Sequence, residues 1–175
     1  MEINRNYIQV LMKKSRMGLI CFSFLVCLQL YGQTDRVCFD IDNVEGVIFL
    51  KGGDVGLSGL ALKRSLTNVQ EVLKIDSLVK LFIDSQSVEK GLVQQGFDGC
   101  PVISKAWKDY YRQVIKYEDE ESGHQIIWIQ YVHKSQVDIN PNWKENWVIV
   151  FGGCSYYWRV KYDIDSQRFF SFVIN

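Results

Sequence analysis

The sequence predicts an α+β domain in which one main helix packs on a four- to five-stranded antiparallel meander sheet. Three observations carry this expectation. Between Thr67 and Ser85, apolar residues recur at three- and four-residue spacing, the stripe of an amphipathic helix. From Tyr110 onward the pattern changes to period two, the repeat of a strand with one covered face. Composition shifts at the same place: all five tryptophans, and 16 of the 20 aromatics that follow residue 32, lie from Trp107 onward. Such side chains suit a pleated, half-buried surface.

Taken from the start, the chain opens with a segment that reads as an address. Lys13, Lys14 and Arg16 precede an apolar run, Gly18 to Leu30, and small Gly32 follows. This is the layout of a secretory signal peptide, and the run is shorter than the roughly 20 residues a membrane-spanning helix needs. Cleavage near Gly32 would leave residues 33–175 as a single α+β domain exported to the periplasm or beyond. The rival is a lipid anchor on Cys27, disfavoured because bulky Val26 precedes it where such signals prefer a small residue. Without residues 1–32 the chain holds 16 basic and 19 acidic residues. A net negative domain lacks the basic footprint of a nucleic-acid binder.

"VCFDI" and "GVIFL" are two short strand candidates around a polar turn, followed by a glycine-loosened loop from Gly52 to Gly59. In the helix, Val69, Val72, Leu73, Ile75, Val79, Phe82 and Ile83 form the stripe. Thr67 with Gln70, or Asn68 with Glu71, can cap its start. Gly91 and Gly96 weaken any continuation, and Gly99-Cys100-Pro101 ends it. "YYRQVIKY" and "QIIWIQYVH" flank the polar turn Glu118 to Gly123 as a hairpin. "NWVIVF", "SYYWRVKYD" and "RFFSFVI" supply the remaining strands. Gly152-Gly153 between the first two permits the positive φ of a tight turn. Alternation puts Tyr156, Trp158, Val160 and Tyr162 on one face, and Tyr157, Arg159, Lys161 and Asp163 on the other. One helix followed by such a meander is similar, by analogy, to the cystatin-like and nuclear-transport-factor-like folds.

Chemistry-bearing motifs are tested on spacing. Gly52, Gly53, Gly56 and Gly59 match neither a dinucleotide fingerprint nor a phosphate loop. "GLSG" misses the nucleophile elbow by one position. Asp40/Asp42/Glu45 and Asp163/Asp165 hint at calcium, but the required glycine and distal glutamate are misplaced, and Asp-rich turns are the commoner meaning. Cys38, Cys100 and Cys154 show no zinc spacing; three buried, inert thiols are expected, with one disulfide plus one free thiol as the alternative in any of three pairings. His124 is expected at the surface beside the acidic tip Glu118 to Glu121, and His133 at the end of a core-facing row. No metal and no cofactor is expected.

The segments "YYRQVIKY", "GHQIIWIQ", "VIVFGGCSYYWRVKYDI" and "FSFVIN" resemble an uncharacterised family of small exported bacterial proteins over about residues 107–175. Members share a Tyr-x-Arg-Gln-Tyr segment, a Gly-x-x-Ile strand ending in Asn, and an Asp-Gly-Gly turn before an aromatic strand. The resemblance implies export and no particular biochemistry. The chain departs from the pattern where Phe151 stands for the Asp and Gln130 for the Asn. If the family's Asp pairs with the strand arginine, Arg112 must lie exposed or find another acid, because an unpaired buried guanidinium is costly.

The expected function is that of a non-enzymatic binding or assembly module, using an aromatic sheet face against a protein partner or a second copy. If the helix covers the face bearing Ile127, Ile129 and Phe170, the opposite face carries Trp128, Gln130, Phe169 and Trp147, with Arg159 nearby. Those five are the candidate partner-binding residues, since exposed aromatics beside arginine have the composition of an interface. The alternative is a small hydrolase or ligand-binding protein with a pocket between sheet and helix, using Tyr131 or His133 with an acid.

Overall fold

The computed structural model describes residues 35–50, 63–89 and 99–175; the segment expected to be a signal peptide, the expected glycine loop at 52–59 and the expected helix break at Gly91 and Gly96 lie outside them. Strands β1 (Arg36–Ile41) and β2 (Val44–Phe49) form a hairpin. Its two-residue turn, Asp42-Asn43, has both φ angles positive, at 52° and 66°. That is the primed geometry whose twist suits a hairpin, and Asp and Asn tolerate it best after glycine. The short β3 (Lys63–Arg64) follows, and then helix α1 (Val69–Glu89). Asn68 caps the helix by accepting the Glu71 N–H at 2.9 Å, and the Thr67 hydroxyl donates to the Glu71 carboxylate at 2.5 Å.

Strands β4 (Tyr110–Glu118), β5 (Gln125–His133), β6 (Tyr157–Asp163) and β7 (Arg168–Ile174) make the antiparallel meander. The α+β class therefore holds, but the sheet is larger than the sequence suggested. Its order is β1-β2-β4-β5-β6-β7, with β3 also paired to β4. The β1–β2 hairpin joins through a parallel β2–β4 ladder, Glu45 opposite Tyr111 to Ile48 opposite Val114. Parallel neighbours need a crossover, and α1 lies on that connection. Close approach at this junction requires Gly46: a Cβ there would lie 2.5 Å from the Phe39 ring and 2.6 Å from the Arg112 carbonyl.

The stripe of α1 is buried as the periodicity predicts. Val72, Ile75, Val79 and Ile83 pack with Val114, Ile127, Ile129, Tyr131, Trp158 and Val160 from the sheet. A second cluster fills the other face: Ile115, Tyr117, Ile126, Trp128 and Val132 from β4 and β5 meet Trp143, Trp147 and Val148 from the β5–β6 connection. Each face of the sheet thus has its own cover, one regular and one irregular.

Two expectations need correction here. "NWVIVF" is not a strand; residues 147–150 are irregular, although Gly152 and Gly153 do take positive φ, at 84° and 102°. The cysteines are not three buried thiols: Cys100 and Cys154 form a disulfide across a separation of 54 residues, and Cys38 is free and exposed. Spacing alone left the pairing open, because the Tyr110 hydroxyl–Ser155 carbonyl bond (2.6 Å) and the Tyr156 hydroxyl–Gly99 carbonyl bond (3.0 Å) bring the two ends together only in the fold. Paired substitution of Cys100 and Cys154 by serine is expected to cost about 3 kcal/mol, since the bridge closes a long loop in the unfolded chain. Urea unfolding of the double variant against the oxidised protein measures it. Among the described cysteines, native-state thiol labelling should mark Cys38 alone.

Candidate functional site

The β-pleat sends alternate side chains of β4, β5 and β6 away from α1, and on that outer face lie Gln113, Trp128, Gln130, Arg159 and Lys161. The sequence had assigned Trp128, Gln130 and Trp147 to an open docking surface. All three are buried: Trp128 is 6% exposed, Gln130 2% and Trp147 6%. What covers them is the connection from Val137 to Val150, and two glutamines hold it down. The Gln113 amide donates to the carbonyls of Trp143 (2.5 Å) and Asn146 (2.7 Å), and its own oxygen accepts the Val148 N–H at 2.9 Å. The Gln130 amide donates to the Val148 carbonyl and, at 3.2 Å, to Gln113 Oε1. Buried backbone polar groups must find partners. Here side-chain amides supply what a strand ladder would, so the Val-Ile-Val run packs without becoming a strand.

Phe169 is displaced for a different reason. Simple alternation put it on the outer face, but β7 carries a bulge between the partners of Arg159 and Lys161, with Ser171 at φ 50°. A bulge puts two residues opposite one and reverses the side-chain phase beyond it. Phe169 therefore stacks on Phe82 of α1 at 4.8 Å, while Phe170 turns outward and is 40% exposed. The helix side of β7 is thus lined by Phe169, Phe172 and Ile174.

The open part of the outer face is the β6–β7 end. The Lys161 ammonium lies over the rings of Trp128 (4.8 Å), Tyr117 (5.7 Å) and Phe170 (5.9 Å), and the Arg159 guanidinium lies 5.8 Å from Trp128. Ring faces attract cations, so both charges are held close to the aromatic floor. Desolvation there lowers the Lys161 pKa. Val173, opposite Arg159, is 37% exposed. Among the described strands β7 pairs only with β6, so its outer edge carries unpaired backbone groups. Of the five sequence candidates, Arg159 belongs to this open surface; Phe170, Val173 and Lys161 were missed. The signal for Phe170 was hidden by the bulge.

A second constellation lies between α1 and the sheet. The Arg112 guanidinium donates to both oxygens of Asp76, at 3.1 and 3.3 Å, and to the carbonyls of Trp107 (3.2 Å) and Tyr110. The Tyr131 hydroxyl donates to the same carboxylate at 2.9 Å. Of the two alternatives left for Arg112, exposure or another acid, the fold takes the second. The Arg112 charge is further sandwiched by the rings of Trp107 (5.2 Å) and Tyr131 (5.5 Å). Burial, reinforced by the Asp76 charge, pushes the Tyr131 pKa far up. Tyr131 thus meets a carboxylate, but both are sealed in packed core. A groove of about 730 Å³ lies instead at the start of α1, lined by Leu66, Thr67, Asn68, Gln70, Glu71, Lys74 and Lys116; neither Tyr131 nor His133 borders it.

His133 is half-buried between the rings of Tyr110 (5.2 Å) and Tyr156 (5.3 Å), and its Nδ1 accepts the Ser135 N–H at 3.2 Å. Desolvation lowers its pKa, only partly offset by Asp109. The unfolded chain therefore binds this proton first. Stability from this site is complete above the unfolded value of about 6.5 and declines as pH falls through it. Replacing His133 with glutamine should shrink the loss of Tm on going from about pH 7.5 to about pH 5.5, read by thermal denaturation at both pH values. Comparison with protein-family models, with curated proteins and with solved structures returns no match for this chain, so the site rests on its own geometry.

Proposed function

We propose that this chain is an exported, non-enzymatic binding or assembly module that engages a protein partner or a second copy through the β7 edge and the strip beside it. The single observation carrying this reading is the coincidence of an unpaired strand edge with half-exposed Phe170 and Val173 and the cations Arg159 and Lys161. Extended segments add to such edges through backbone hydrogen bonds, with side-chain contacts giving selectivity. Export is supported by the signal-like N-terminus and by the Cys100–Cys154 bridge, which persists in oxidising compartments. The same reading includes kinship with the small exported family, and a cystatin-like or nuclear-transport-factor-like architecture, supported by one helix laid across a four-strand meander.

The test is site-specific photocrosslinking in the native envelope, with the probe at position 170 and a control at Leu81, an exposed position on α1. A discrete adduct from 170, absent from 81 and abolished by Val173→Lys, is the expected result. Equal or absent labelling at the two positions overturns the reading.

A further inference from the structure

The sequence placed His124 and the pair Asp163/Asp165 in separate segments, with Asp163/Asp165 a disfavoured hint of calcium and His124 no part of it. The fold brings them together. Ile126 pairs with Asp163, and the Ile164 N–H donates to the Gln125 carbonyl at 2.9 Å, so the end of the β4–β5 turn and the start of the β6–β7 turn lie side by side. His124 Nδ1 stands 2.8 Å from Asp163 Oδ2, and one donor atom from each of His124, Asp163 and Asp165 falls within 4.8 Å of the others.

We propose that these three residues form a binding site for a divalent transition-metal ion of the zinc type, which staples the two turns together. Three features support it. The set joins an imidazole nitrogen to two carboxylates, a mixture that suits zinc and its first-row neighbours; calcium takes oxygen ligands. Each carboxylate is aimed by the backbone through its other oxygen. Asp163 Oδ1 accepts the N–H groups of Asp165 and Ser166, both at 3.0 Å, leaving Oδ2 toward the imidazole. Asp165 Oδ2 accepts the Gln125 N–H at 2.6 Å, leaving Oδ1 for a ligand. Outer contacts of this kind orient metal ligands and set their affinity. Finally, the separation is nearly right: metal–ligand bonds of about 2.0–2.2 Å require donors roughly 3–4 Å apart, and the three donor atoms already lie within 4.8 Å of one another. Binding replaces the His124–Asp163 hydrogen bond: a neutral imidazole carries its proton on Nε2, and an imidazolium releases one proton to solvent; water fills the remaining coordination positions.

The experiment uses the purified chain without an affinity tag, carrying Cys38→Ser so that the exposed thiol cannot bind metal, and stripped with chelator. Zinc chloride and calcium chloride are titrated separately by calorimetry, and Tm is read with and without each ion. The expected result is one zinc ion per chain, a raised Tm, and calcium binding at least about 10-fold weaker. His124→Gln and Asp165→Asn should each weaken zinc by roughly 100-fold, whereas Glu121→Gln in the neighbouring acidic tip should leave it unchanged. No zinc binding in the parent, zinc binding retained in both ligand variants, or equal loss in Glu121→Gln each overturns the proposal.

Discussion

Replacing Asp76 with alanine is expected to destabilise the protein by about 3–5 kcal/mol, the usual consequence of stranding one partner of a buried ion pair. Arg112 is 0% exposed and spends its donors on Asp76 and on the carbonyls of Trp107 and Tyr110. Without the carboxylate its charge has no counter-ion, and the Tyr131 hydroxyl loses its acceptor as well. Urea unfolding with the disulfide intact measures the loss. The informative companion is the double variant Asp76→Leu with Arg112→Met. Removing both charges removes the desolvation penalty too, so most of the stability should return. If the double variant is as unstable as the single one, the pair contributes more than mutual neutralisation, and its aromatic sandwich with Trp107 and Tyr131 becomes the first suspect.

Trp128→Ala should cost a comparable amount, about 3–5 kcal/mol, because it empties a large buried volume. The ring is packed against Trp147 at 5.2 Å and floors the cations Lys161 and Arg159. A residue on an open docking surface would tolerate the change within about 0.5 kcal/mol, so one denaturation curve separates core from interface. Trp128→Phe is the finer probe. Among the described residues the Trp128 indole N–H is buried without a hydrogen-bond partner. Phenylalanine deletes that unsatisfied donor along with the second ring, so its cost should be well below that of alanine. Loss of Trp128 should also loosen the cover, visible as a red shift of the remaining tryptophan fluorescence.

Much of the fold was legible in local pattern. The α1 stripe, its Asn68 cap, the β4–β5 hairpin and the alternation of β6 all follow from periodicity, which reports which side of an element is covered. Three things escaped. The parallel β2–β4 ladder joins segments separated by the helix, and no local period encodes a neighbour chosen across a crossover. The Asn146–Phe151 segment reads as strand by composition, yet Gln113 and Gln130 capture its backbone at Asn146 and Val148. Phe169 and Phe170 exchanged faces because the Ser171 bulge reversed the phase within β7. The last two misses altered the candidate site directly, since two tryptophans and a glutamine left the surface while Phe170 joined it.

The amino-acid sequence by itself determined the main helix, the β4–β5 hairpin and the inward-facing residues of α1, β4 and β5, and it posed a choice for Arg112 between exposure and a new acid. Those properties depend on near neighbours along the chain. Only tertiary packing decided that Asp76 is that acid, that Cys100 meets Cys154, that a loop covers the aromatic face, and that His124 stands beside Asp163. Such pairings are selected by the global arrangement that satisfies buried polar groups and fills both faces of the sheet at once, and no stretch of twenty residues contains that information.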